Sequence, residues 1–106
     1  MRPWRVAVSG QSMEPALREG DWVLVLPPRR SPRAGDVVLV RDPRERSRLL
    51  LKRVAEVKDH GVVVAGDRSD HSTDSRHFGV VPLSLVLGRA ALRYAPFRRF
   101  GLIPDA

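Results

Sequence analysis

The sequence predicts a mainly β protein, one domain built on a coiled or barrel-like antiparallel sheet. Three observations carry this expectation. Short runs rich in valine and leucine recur along the chain, each bounded by glycine, proline or aspartate, the usual punctuation of strands and turns. No heptad pattern or internal repeat of useful length competes with them. The length, 106 residues of which 42% are hydrophobic, suffices for one packed core and is too short for two domains.

Taken in order, Trp4–Val8 reads as the first strand. Ser9–Leu17, S-G-Q-S-M-E-P-A-L, reads as a turn, in which Met13–Arg18 has room for one helical turn before Pro15 and Gly20 stop it. Trp22–Leu26 is a strand, and Pro27–Arg33 is a loop by composition. Asp36–Arg41 is the next strand. Arg41–Arg48 reads as an exposed excursion, because Pro43 cannot donate to a ladder. Leu49–Val57, Val62–Ala65 and Leu85–Tyr94 complete the strands. Gly20-Asp21, Gly35-Asp36 and Gly66-Asp67 border strands, glycine supplying a positive φ and aspartate a carboxylate that bonds back to the backbone. These aspartates read as architectural.

Composition excludes several chemistries. With no cysteine, there is no disulfide, thiolate metal site or cysteine nucleophile. No apolar stretch reaches the roughly 20 residues that span a bilayer, and Met1–Val8 is too short and polar for a signal peptide. The expectation is a soluble, cytoplasmic chain. The net charge of +7 is almost all arginine, Lys52 and Lys58 being the only lysines. Such a balance suits anionic surfaces, but a solvated surface written in arginine is the better account of it. Few aromatics lie on the strands for base stacking, so no nucleic-acid partner is expected.

Ser12 sits on the turn, where a serine becomes a nucleophile if a base takes its proton. His60, His71 and His77 all lie in polar, loop-like stretches, and no G-x-S-x-G elbow exists. Asp70 and Asp74 near His71 and His77 fit no zinc spacing, so neither metal nor cofactor is expected. Lys58 lies in a polar turn. Lys52, in L-L-L-K-R-V, shares a strand face with Leu50 and Val54 by the two-residue alternation, leaving Arg53 to the opposite, wet face. A lysine on an apolar face either snorkels to water or loses affinity for its proton. The second outcome would make it a base for Ser12, 40 positions upstream. Gly10, Gln11 and Met13 frame the serine for oxyanion and substrate positioning. Glycine allows close backbone approach, and Met13 packs beneath the hydroxyl or simply fills core.

These residues resemble type I signal peptidases. S-G-Q-S-M-E-P-A-L followed by Gly-Asp is similar to their serine box, and L-L-L-K-R-V to their lysine box. G-D-R-S-D-H-S-T-D-S-R-H-F-G-V-V-P is similar to a third box, with L-G-R-A after it. The resemblance covers about Val8–Ala90 and implies a signal peptidase/LexA-like catalytic core at 8–90, with a basic-aromatic tail at 93–106. It further implies Ser12 as nucleophile, Lys52 as general base, Ser72 orienting the lysine amine, and Asp74 with Arg76 as a bracing pair. Ala16 replaces a usual threonine and Arg68 a usual asparagine. The short, arginine-rich chain without an N-terminal anchor is most similar to nickel-type superoxide dismutase maturation proteases. That likeness implies a protein substrate with a cleavable N-terminal segment, and nickel that belongs to the substrate. The alternatives are a self-cleaving LexA-like regulator and a basic nucleic-acid-binding β domain. The tail suits peripheral contact with anionic lipid, a partner, or packing on the domain itself.

Overall fold

The structure, a computed structural model, describes residues 3–28, 30–68 and 78–103. Among these residues the strands are β1 (Trp4–Ala7), β2 (Trp22–Leu26), β3 (Val37–Asp42), β4 (Glu45–Lys58), β5 (Gly61–Ala65), β6 (Val81–Pro82), β7 (Val86–Ala95) and β8 (Gly101–Leu102). They form one antiparallel sheet in the order β1-β2-β7-β3-β4-β5-β6, with β8 also on β7. Two 3₁₀ turns, Leu83–Leu85 and Phe97–Arg99, flank β7. The mainly β, coiled antiparallel fold expected from the sequence is the fold observed.

The coil arises because the long strands change partners along their length. β4 pairs with β3 up to Arg53 and with β5 from Arg53 onward. β7 pairs with β3 over Val86–Arg89 and with β2 over Arg89–Ala95. Register shifts at Leu24/Val25, Leu39/Val40 and Val54/Glu56 add local twist at these handovers. The sheet therefore wraps around two apolar clusters. Val8, Met13, Leu17, Val23, Val25, Val37, Leu39 and Ala90 form one; Val38, Val40, Val54, Val62, Val64, Val81, Leu85 and Val86 form the other. β3 lies between them, its alternating residues feeding opposite clusters, which is why V-V-L-V is apolar at every position.

Two strand entries use the same four-residue turn. In Arg18-Glu19-Gly20-Asp21 and in Arg33-Ala34-Gly35-Asp36, the aspartate N–H donates to the arginine carbonyl at 3.0 Å. The aspartate Oδ2 accepts the arginine N–H at 2.9 Å in both. Glycine stands at the third position with φ of +90° and +95°, the conformation that a type II turn requires there.

Two expectations need correction. Arg41–Arg48 is not a loop throughout: Pro43 and Arg44 make a tight turn, and β4 begins at Glu45. The Asp42 carboxylate closes that turn by accepting the Arg44 N–H at 2.8 Å, and Pro43 sits where no donor is needed. Glu45–Arg48 are exposed all the same, so their polarity reported exposure rather than lack of strand. Nor is the face opposite Lys52 wet. Leu51 packs on the first cluster, and Arg53 is 7% exposed. A sheet that coils buries both faces of its middle strands, so alternation alone could not assign one of them to water. β6 and β8, two residues each, were too short for any periodicity to announce.

Candidate functional site

The serine turn leaves β1 through Val8 and returns at Asp21. Within it the Glu14 N–H donates to the Gln11 carbonyl at 3.1 Å, and the Leu17 N–H to the Met13 carbonyl at 2.9 Å. These bonds make successive turns rather than the one helical turn expected at Met13–Arg18, and the Glu14–Pro15 peptide between them is cis. Met13 and Leu17 are buried in the first cluster and fasten the turn to the sheet. Gly10 takes φ +80°, so an L side chain there would be strained, although the space beside it is open. Gln11 is exposed, and Ser12 is half-buried.

A cleft of about 230 Å³ opens beside this turn. Val6–Ser9 form one wall and Leu49–Lys52 the other, with Ser12 at the rim and the buried Met13 and Leu39 beneath. The structure thus brings Ser12 and Lys52 to the same cleft. Lys52 is 3% exposed, opposite Val38 in the ladder. Among the described residues, β1 pairs only with β2, and Glu45–Leu51 has a strand partner only on its β3 side. Two strand edges therefore border the cleft.

A second set of contacts ties β4 to the serine turn through the segment after β5, and little in the sequence announces it. Arg53 forms a bidentate pair with Asp67, at 2.9 Å from Nε and 2.8 Å from Nη2, and donates to the Gly35 carbonyl at 2.9 Å. The next residue, Arg68, donates its N–H to the Ser12 carbonyl at 2.7 Å, and its guanidinium pairs with Glu14 at 3.2 Å. A continuous path thus runs from the neighbour of Lys52 to the backbone of Ser12. The only hint in sequence is an arginine beside the lysine on an apolar strand, and strict two-residue alternation assigns that arginine to solvent.

Ser72, Asp74 and Arg76, with His71 and His77, lie outside the described residues. His60 sits on the exposed β4–β5 turn and does not line the cleft. Among the described residues no three His, Cys, Asp or Glu side chains gather as metal ligands. No helix among them is long and apolar enough to cross a membrane.

Comparison with known proteins bears on this arrangement. Residues 5–75 match the peptidase S24-like family. The chain is 40% identical over 90 residues to the mitochondrial ATP-independent inner membrane protease subunit 1a of Arabidopsis thaliana, covering 63% of this chain and 53% of that protein. It is 34% identical over 124 aligned positions to the mitochondrial inner membrane protease subunit 1 of Xenopus tropicalis, covering 95% of this chain and 74% of that one. A stretch of 39 residues is 44% identical to the signal peptidase I of Bacillus caldolyticus, covering 37% of this chain and 21% of that enzyme. The chain therefore spans about half the length of the Arabidopsis relative and about three quarters of the Xenopus one. A coiled β-sheet, a serine turn and a buried lysine on one cleft, and a family match that runs through the turn and the lysine strand lead to one conclusion: the chain belongs to the signal peptidase I-like, S24-like peptidases.

Proposed function

We propose that this protein is a serine endopeptidase in which Lys52 is the general base for Ser12. The observation that carries the reading is the placing of a serine on a fixed turn and a buried lysine on one cleft. In the first step the Ser12 hydroxyl gives its proton to the neutral Lys52 amine, and Oγ attacks a peptide carbonyl. Backbone N–H groups of the Gly10–Met13 turn hold the oxyanion. The carbon–nitrogen bond then breaks, and the lysine ammonium returns its proton to the leaving amine. Water, deprotonated by the same amine, hydrolyses the ester and regenerates the serine.

The substrate lies in the cleft as an added strand, against the edges of β1 and of Glu45–Leu51, so that main-chain hydrogen bonds hold a flexible segment without a deep pocket. Apolar walls from Val6, Leu39, Leu49 and Leu51 suit small or apolar side chains before the cut. By the family resemblance, Ser72 would orient the amine, and Asp74 with Arg76 would brace the active site. The substrate proposed is a protein with a removable N-terminal segment, most specifically the precursor of nickel superoxide dismutase. The sequence resemblance supports that identity, whereas the named relatives support peptidase chemistry in general.

The test is to mix wild type or Ser12→Ala with the precursor and weigh the products. Wild type should release one N-terminal fragment, and Ser12→Ala should fold and release none. Cleavage by Ser12→Ala at the wild-type rate would end the serine reading. Cleavage of other pro-proteins but not of this precursor would end the substrate reading alone.

A further inference from the structure

The segment that carries Ser12 is a loop closed at its neck and held a second time from a distant part of the chain. At the neck the Val8 N–H donates to the Asp21 carbonyl at 2.8 Å, and the Gly20 N–H to the Val8 carbonyl at 3.1 Å. The returning limb is gripped by β7: Arg93 donates through Nη1 to the Ala16 carbonyl at 2.8 Å, across 77 positions of sequence. Beside it lies the Asp21 carboxylate, 2% exposed. It accepts the Arg18 N–H at 2.9 Å, pairs with Arg99 at 3.1 Å and reaches Arg93 at 3.5 Å. Arg93 Nε also donates to the Arg99 carbonyl, which fastens the Phe97–Arg99 turn to β7. Two guanidiniums from the C-terminal arm thus converge on one buried carboxylate and on the backbone of the serine loop.

A cluster that only joined strands would end on strands. This one ends on Ala16 and Arg18, within six residues of Ser12. We propose that Asp21, Arg93 and Arg99 are positioning residues, through which the C-terminal arm holds the Ser12 loop in register with Lys52. The proposal rests on reading Ser12 as the nucleophile. A reacting atom misplaced by about 1 Å costs on the order of a hundredfold in rate, so a loop freed on one limb loses turnover before it loses substrate.

Arg93→Met, Arg93→Lys and Arg99→Gln test this, each measured well below its unfolding temperature. The readouts are cleavage of an internally quenched peptide with alanines before the cut, and amide hydrogen exchange. Arg93→Met should lower kcat roughly tenfold or more with KM within about twofold. Arg93→Lys, able to keep one of the contacts, should fall between it and wild type. The Leu17, Arg18 and Gly20 amides should exchange faster in Arg93→Met and Arg99→Gln. If Arg93→Met does not fold, Arg99→Gln decides, since Arg99 lies nearer the surface and its loss leaves the Arg93–Ala16 bond in place. Unchanged exchange at those amides overturns the brace, and a loosened loop with kcat intact overturns its role in positioning. Failure of the nucleophile reading shows separately, as undiminished cleavage of the same peptide by Ser12→Ala.

Discussion

Lys52 and Arg53 stand side by side on β4, both buried, and differ in what they can do with a proton. An ammonium gives one up when desolvation weighs against its charge; a guanidinium does not within any working pH range. On the proposed chemistry, Lys52→Arg keeps a cation at the cleft and should abolish cleavage. Wild-type kcat/KM should rise with pH as the ammonium deprotonates. Peptide hydrolysis across a pH series checks both, and an active Lys52→Arg protein would refute the base. Arg53 carries a different burden. Its guanidinium satisfies Asp67 with two bonds and the Gly35 carbonyl with a third. Arg53→Met leaves a buried carboxylate without its countercharge, and the loss should be about 3–5 kcal/mol by urea unfolding. The sequence put both residues on the right strand but could place only the lysine, because burial on the second face depends on how far the sheet coils.

At the scale of elements, the ladder between β2 and β7 holds a tight point that a substitution can probe. A Cβ on Gly88 would stand 2.3 Å from the Leu26 carbonyl oxygen and 2.8 Å from Val25 Cγ1. The strands must separate to admit it, so Gly88→Ala should lower stability by about 1–3 kcal/mol, seen as an earlier urea midpoint. L-G-R-A was legible as a strand, but nothing in its pattern said that another backbone lay against the glycine. The larger strands were legible within a few residues because valine and leucine runs between turn residues have few other uses. β4 was the exception. Its first residues, Glu-Arg-Ser-Arg, extend a hairpin past the core, where no apolar face remains to betray a strand. Ser12 and Lys52 were legible as candidates from their boxes, whereas the Arg53–Asp67–Arg68 path was not, since its members gain meaning only once β4 and the segment after β5 lie together.

For the molecule as a whole, charge is held in particular pairs as well as in the excess of +7. Bonds from the Arg44 side chain and N–H hold the Asp42 carboxyl below the ordinary carboxylate range, against the opposing effect of burial. Burial pushes Asp36 up, yet the Arg30 and Arg33 hydrogen bonds and the charges of Arg30 and Arg89 outweigh it and leave that group lowered too. A carboxyl lowered in the folded state stabilises fully above its unfolded value, about 4, and loses that contribution as pH falls through the folded value. On the acid side, urea midpoints should therefore drop below about pH 4, with a shallower drop in Asp42→Asn. An equal slope in the variant would remove Asp42 from the account.

Arg53 is the residue at which β4 exchanges one neighbour for another, opposite Val37 on one edge and Ala65 on the other. A chain gripped from both sides cannot swing there, so the adjoining amine has only its own methylene tether with which to travel. On the proposed chemistry the site then resembles an anvil more than a jaw, a fixed base to which the peptide is brought.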